Sequence, residues 1–131
     1  MTATTASPML TIGELAAEVG LSTHTLRWYE AQGLFPQPIP RTGSGRRHYG
    51  PEAIGWLRLL SRLRESGMPV AKMAEYSRLV GEGDGNEDAR IALMEAHSQA
   101  LTEQIEILER CREVIDDKVA LYRRRLADQS V

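Results

Sequence analysis

Ser22-Thr-His-Thr-Leu-Arg-Trp-Tyr-Glu-Ala31 is the stretch on which the reading of this chain turns. Ser22 is a good N-cap, since its hydroxyl can accept a backbone N–H left unpaired in the first turn of a helix. The segment before it, Thr11 to Val19, opens with Thr11-x-x-Glu14, a capping-box pattern, and carries Ile12, Leu15, Ala16 and Val19 at helical spacing. Gly20 ends that helix. Two short helices joined through Gly20-Leu21 make a helix-turn-helix, whose second helix can lie in a DNA major groove. Leu26, with Trp28 or Ala31 beside it, faces the first helix. That leaves Thr23, His24, Arg27 and Tyr29 for a ligand, and these side chains suit nucleic acid. An ordinary helical hairpin with a solvated polar face accounts for the same residues.

Charge favours the first reading. The 131 residues carry a net charge of −2, but it is unevenly divided. Residues 1–64 hold seven Arg/Lys against four Asp/Glu, and residues 65–131 hold nine against fourteen. All seven cations of the first half are arginines, and they fall within 22–64. A basic half beside an acidic half gives one part of the chain an electrostatic footprint for phosphate.

The single cysteine, Cys111, excludes an intrachain disulfide and any multi-cysteine zinc or iron–sulfur site. His24, His48 and His97 share no helical face or ligand spacing, so neither a metal nor a cofactor is expected. Residues 1–9 read as a disordered tail rather than a signal peptide, having no basic start or apolar run. No stretch approaches the ~18 apolar residues of a membrane span. The expected location is the cytoplasm. No nucleophile–base pair, phosphate loop or paired carboxylates stand out, so an enzyme is not expected.

After the second helix, Gly33 supplies a stop, and Pro36, Pro38 and Pro40 favour extended backbone. Gly43-Ser44-Gly45 marks a turn between two short extended pieces, which predicts a two-stranded wing carrying Arg41, Arg46 and Arg47; a flexible basic linker is the alternative. Pro51 and Glu52 open the next helix, with proline at its first position, running to about Ser66 and burying Ile54, Leu57, Leu60 and Leu63. Gly67 stops it. Pro69 starts another through Val70, Met73, Tyr76 and Val80. The units expected are a DNA-binding domain with an accessory helix pair over 10–80, a glycine-rich hinge over 81–86, a long helix over 87–126 and a tail over 127–131.

That long helix contains no proline or glycine and would extend about 60 Å. Met94, Leu101, Leu108, Ile115 and Tyr122 recur every seven residues, with Ile91, Ser98, Ile105, Arg112, Val119 and Leu126 at companion positions. This is a heptad seam, and it requires a partner helix. A homodimer is the reading, and the seam by itself leaves the orientation open. A second stripe, Leu93, Ala100, Ile107, Val114 and Leu121, lies beside it.

Leu10-Thr-Ile-Gly-Glu-Leu-Ala16, Gly20-Leu-Ser-Thr-His-Thr-Leu-Arg-Trp-Tyr-Glu30, Gly33-Leu34, Arg46-Arg-His-Tyr49 and Leu63-Arg-Glu-Ser-Gly67 occur in an order and spacing that resemble the MerR family of bacterial transcription regulators. The resemblance spans Leu10 to Leu126. It implies a mainly α fold, with a winged helix-turn-helix on each subunit followed by an antiparallel coiled coil between subunits. It also implies an operator of two half-sites in a promoter with an overlong spacer, which the protein bends and untwists so that RNA polymerase engages both promoter elements. By position, Thr23, His24, Thr25 and Arg27 face the groove, and Arg27 and Tyr29 reach phosphates or adjacent bases. Arg46, Arg47 and Tyr49 belong to the wing, which positions without specifying. Thr11, Ser22, Trp28, Arg41 and His48 complete the expected contact set.

The chain departs from the family in two places. Members often carry an aromatic or apolar residue where Arg46 stands. The short electrophile-responsive subgroup, which the C-terminal part resembles, carries a cysteine early in the helix that begins near Pro51, where this chain has Ile54, Gly55 and Trp56. Its sensing chemistry is not inherited. Cys111 reads either as a buried small hydrophobe or as a thiol switch helped by Arg110 and Arg112. Trp56, Met73, Tyr76 and Tyr122 read as ordinary core or as the lining of a small-molecule effector pocket. An architectural protein that bends DNA without sensing an effector is the alternative function.

Overall fold

The computed structural model describes residues 9–36 and 48–130. Five helices follow in order: α1 (Ile12–Val19), α2 (Thr23–Ala31), α3 (Glu52–Glu65), α4 (Val70–Gly81) and α5 (Glu87–Gln129). The chain forms two compact units, the first ending at Leu93 and the second beginning at Met94.

In the first unit, α1 packs on α2 and α3, and α3 packs on α4. Local chemistry sets the first two helices. The capping box of α1 is complete: Glu14 N–H donates to Thr11 Oγ1 at 3.2 Å, and Thr11 N–H donates to Glu14 Oε1 at 2.9 Å. Gly20 closes α1 at φ 69°, a left-handed conformation that glycine adopts without a Cβ penalty. Ser22 then caps α2, accepting Thr25 N–H at 3.0 Å. The core these helices share is Leu15, Ala16, Leu26, Tyr29, Leu34, Leu57, Leu60 and Leu63, all buried.

Among the described residues the only β pairing is an antiparallel bridge between Leu10 and Tyr49. It holds the segment leading into α1 against the segment leading into α3, with N–H···O distances of 2.7 and 2.8 Å. The predicted wing, with its Gly43-Ser44-Gly45 turn, falls outside the described residues.

Two details of α3 and α4 differ from expectation. Pro51 stands at the N-cap rather than the first helical position, and Ala53, one turn before buried Leu57, takes the buried place in the first turn while Ile54 is half-buried. In α4 the buried residues are Met73, Ser77 and Leu79, while Val70, Tyr76 and Val80 are half-buried. The inward face is turned by contact with α3. A close backbone approach fixes the far end of α4, where a Cβ at Gly81 would collide with the Pro36 carbonyl oxygen.

Helix α5 runs three residues past Leu126, because nothing in Ala127-Asp-Gln129 interrupts it. None of its residues is buried. Ile105, Ile107, Leu108, Val114, Ile115 and Leu126 are each more than half exposed in the single chain. No helix among the described residues is long and apolar enough to cross a membrane.

Candidate nucleic-acid interface

Helix α2 presents one exposed edge. His24 and Arg27 are exposed, and Thr23, Thr25 and Trp28 are half-buried beside them. Ser22 is held in place by its cap and by a 2.9 Å hydrogen bond between its hydroxyl and that of Thr25. The helix therefore starts at a fixed point, with His24 outward in its first turn.

Tyr29 does not share that edge. It is 1% exposed, and its place is in the core formed with α1 and α3. Tyr49 is likewise buried at 3%, its backbone paired with Leu10 and its ring 5.8 Å from Phe35. Both were expected at the DNA. A buried ring cannot reach a groove, so these two tyrosines hold the scaffold instead.

The remaining expected contacts have varied surroundings. The Thr11 hydroxyl is occupied by the capping box. His48 is half-buried, and its charge adds a small downward pull on the carboxyl of Glu14. Glu14 lies below its ordinary value mainly because its carboxylate accepts the Thr11 backbone N–H, with the Thr11 hydroxyl contact next in weight. Arg41, Arg46 and Arg47 lie outside the described residues.

One residue that sequence reasoning left unassigned stands at this edge. The Arg64 guanidinium lies over the Trp28 ring, 4.9 Å from its centroid, and 5.9 Å from the Tyr29 centroid. With His24, Thr25 and Trp28 it lines a cleft of about 160 Å³. Placed one helical turn after buried Leu60, Arg64 sits at the margin of the inward face of α3, and that spacing is the signal that could have found it. The cleft gathers a cation, hydroxyl and imidazole hydrogen-bonding groups and an aromatic face, which suits a phosphate and sugar at the rim of a groove.

Of the residues considered for effector binding, Trp56 and Tyr76 are stacked at 5.7 Å with ring planes 7° apart. Trp56 donates its indole N–H to the Leu34 carbonyl at 2.7 Å. That bond ties the segment leaving α2 to α3. Cys111 is exposed in the single chain, so its burial would need a partner.

The chain matches the model of the MerR HTH family regulatory proteins over residues 10–79. It belongs to the MerR family. This MerR-family chain is 36% identical over 94 residues to the HTH-type transcriptional regulator AdhR of Bacillus subtilis, covering 72% of this chain and 66% of that protein. It is 30% identical over 121 residues to an HTH-type transcriptional regulator of Haemophilus influenzae, covering 92% and 89% of the two. Among solved structures it resembles HiNmlR, a MerR family regulator lacking the sensor domain, bound to promoter DNA, with a TM-score of 0.78 and 28% identity. That match covers 92% of this chain and 94% of that one. These relatives are regulators rather than enzymes.

Proposed function

We propose that this MerR-family protein binds an inverted-repeat promoter operator as a homodimer in the cytoplasm. Each subunit places α2 in a major groove, and together they bend and untwist the DNA to control RNA polymerase, in response to a small molecule or a stress. The observation that carries the reading is the capped helix α2, on which Arg27 is exposed and His24, Thr25 and Trp28 line a cleft with Arg64. Promoter DNA bound by HiNmlR supports the same partner here.

Dimerisation rests on α5. Nine large apolar side chains on that helix are 40–65% exposed, Ile91, Ile105, Ile107, Leu108, Val114, Ile115, Val119, Tyr122 and Leu126. At roughly 1 kcal/mol for covering half of each, a partner would gain on the order of 10 kcal/mol per chain before the costs of association. Met94 and Leu101, half-buried, complete the seam. A second copy supplies the same stripe with matching spacing.

The test is a gel shift and footprint on the DNA immediately upstream of the protein's own gene, followed by transcription in vitro. Protection of an inverted repeat between the polymerase elements supports the reading. Absence of binding there, together with failure to enrich any duplex from a random pool, overturns it. Transcription that no added small molecule or oxidant alters would favour the architectural role.

A further inference from the structure

Helix α4 leaves the Leu79 carbonyl to be satisfied from outside the helix. Its last turn bonds Glu82 N–H to the Arg78 carbonyl and Gly83 N–H to that of Val80, each at 3.1 Å. The Leu79 carbonyl receives side chains instead: Asn86 Nδ2 at 2.8 Å and Arg90 Nη2 at 3.3 Å. Arg90 also donates to the Gly83 carbonyl and, through Nε, to Asn86 Oδ1 at 2.7 Å. One guanidinium thus joins the end of α4, the loop and the start of α5. A cation at a helix C-terminus is favoured by the helix dipole, and the planar fork suits several acceptors at fixed angles.

The loop alone would not hold this geometry. Gly83 and Gly85 adopt φ of 88° and 105°, and glycines have the widest conformational freedom of any residue. The hinge expected from Gly81-Glu-Gly-Asp-Gly-Asn86 is braced by a side chain from the next helix. Helix α5 runs for 43 residues, about 64 Å at its ordinary rise.

We propose that Arg90 is a positioning residue that sets how α5 departs from α4 and so determines which half-site spacing the operator must have. This assignment rests on the dimeric, two-half-site reading above, since spacing in such proteins mirrors the geometry between subunits.

The experiment uses the full chain, with Arg90→Ala, Arg90→Lys and Asn86→Ala. The probes are synthetic inverted repeats built from the half-site enriched out of a random duplex pool, with the centre-to-centre distance changed one base pair at a time. Affinity for an isolated half-site and sedimentation are measured in parallel. The wild type should prefer one spacing by about tenfold over its neighbours two base pairs away, and Arg90→Ala should reduce that preference to about threefold or less with half-site affinity and dimerisation unchanged. Arg90→Lys, which keeps the charge but loses the fork, should fall between. If Arg90→Ala does not fold, the same ordering is read from Arg90→Lys and Asn86→Ala. An unchanged spacing profile overturns the assignment, as does an equal loss of affinity at every spacing. A monomeric wild type overturns the dimeric reading itself, and this assignment with it, whereas a dimeric wild type indifferent to spacing overturns this assignment alone.

Discussion

Arg64 of α3 and Trp28 of α2 meet as cation over ring, with the guanidinium carbon 4.9 Å from the indole centroid. The pair connects the helix expected to enter the groove to a helix that lies much later in the chain. Because the face of the cation is held by Trp28, its N–H groups are oriented before any DNA arrives. Replacing Arg64 by Ala should weaken operator binding and lower the log–log salt slope by about one unit, as for one lost phosphate contact. Arg64→Lys should preserve the slope. Equilibrium titration across a salt series checks both, and an unchanged slope in Arg64→Ala would remove the residue from the interface.

Tyr29, next to Trp28, should behave differently. Since the ring is 1% exposed, Tyr29→Ala should lower unfolding stability by about 3–5 kcal/mol, in the range of large aromatic truncations. Chemical denaturation measures this. A variant of native stability that simply fails to bind DNA would return Tyr29 to the contact set.

Glu14 gives a pH-dependent contribution of known sign. Its carboxyl is held below the ordinary 4.5 by the Thr11 backbone N–H. The capping contribution is therefore complete above 4.5 and is lost as the pH falls through the lower, folded-state value. Stability followed from neutral pH into the acid range should fall more steeply in the wild type than in Glu14→Gln, which has no carboxyl to protonate. Equal acid sensitivity of the two would show that Glu14 contributes nothing to it.

The apolar stripe of α5 supplies a prediction for assembly. Leu108 is 64% exposed and Leu101 half-buried, both on the seam. Changing both to Asp places like charges where two helices would meet. Sedimentation should then show monomers and circular dichroism a reduced helical content, and dimers that persist would locate the interface elsewhere.

Gly81 should resist substitution despite its helical backbone. Its missing Cβ makes room for the Pro36 carbonyl, so Gly81→Ala should cost about 1–3 kcal/mol, as overpacking does. An alanine within a helix otherwise stabilises by roughly 0.5–1 kcal/mol over glycine. Thermal unfolding decides which effect wins, and a raised Tm would mean that Pro36 can withdraw without cost.

Much of the helix-turn-helix is legible in the sequence because its signals are local. Thr11 and Glu14 lie three residues apart, Gly20 follows directly on Val19, and Ser22 stands immediately before its helix. The period of α5 is legible for the same reason. What a local pattern does not convey is which side chains a distant helix covers. Tyr29 and Tyr49 look like phosphate-reaching residues until Leu10 and the helices around them take up their rings and backbone. Arg64 looks like one more charge on α3 until α2 is brought beside it. Arg90 reads as a surface residue of a long helix, because the carbonyl that it satisfies belongs to Leu79, eleven residues earlier.

The exposed thiol of Cys111 also makes this molecule its own ruler. As the one cysteine of the sequence, it accepts a single nitroxide or fluorophore per chain without prior mutagenesis. Two parallel helices would bring a pair of such labels to about 10 Å across the seam, the ordinary interaxial distance. Antiparallel helices would separate them by twice the distance of Cys111 from the symmetry axis, and dipolar spectroscopy would read the relative orientation of the two helices directly as a length.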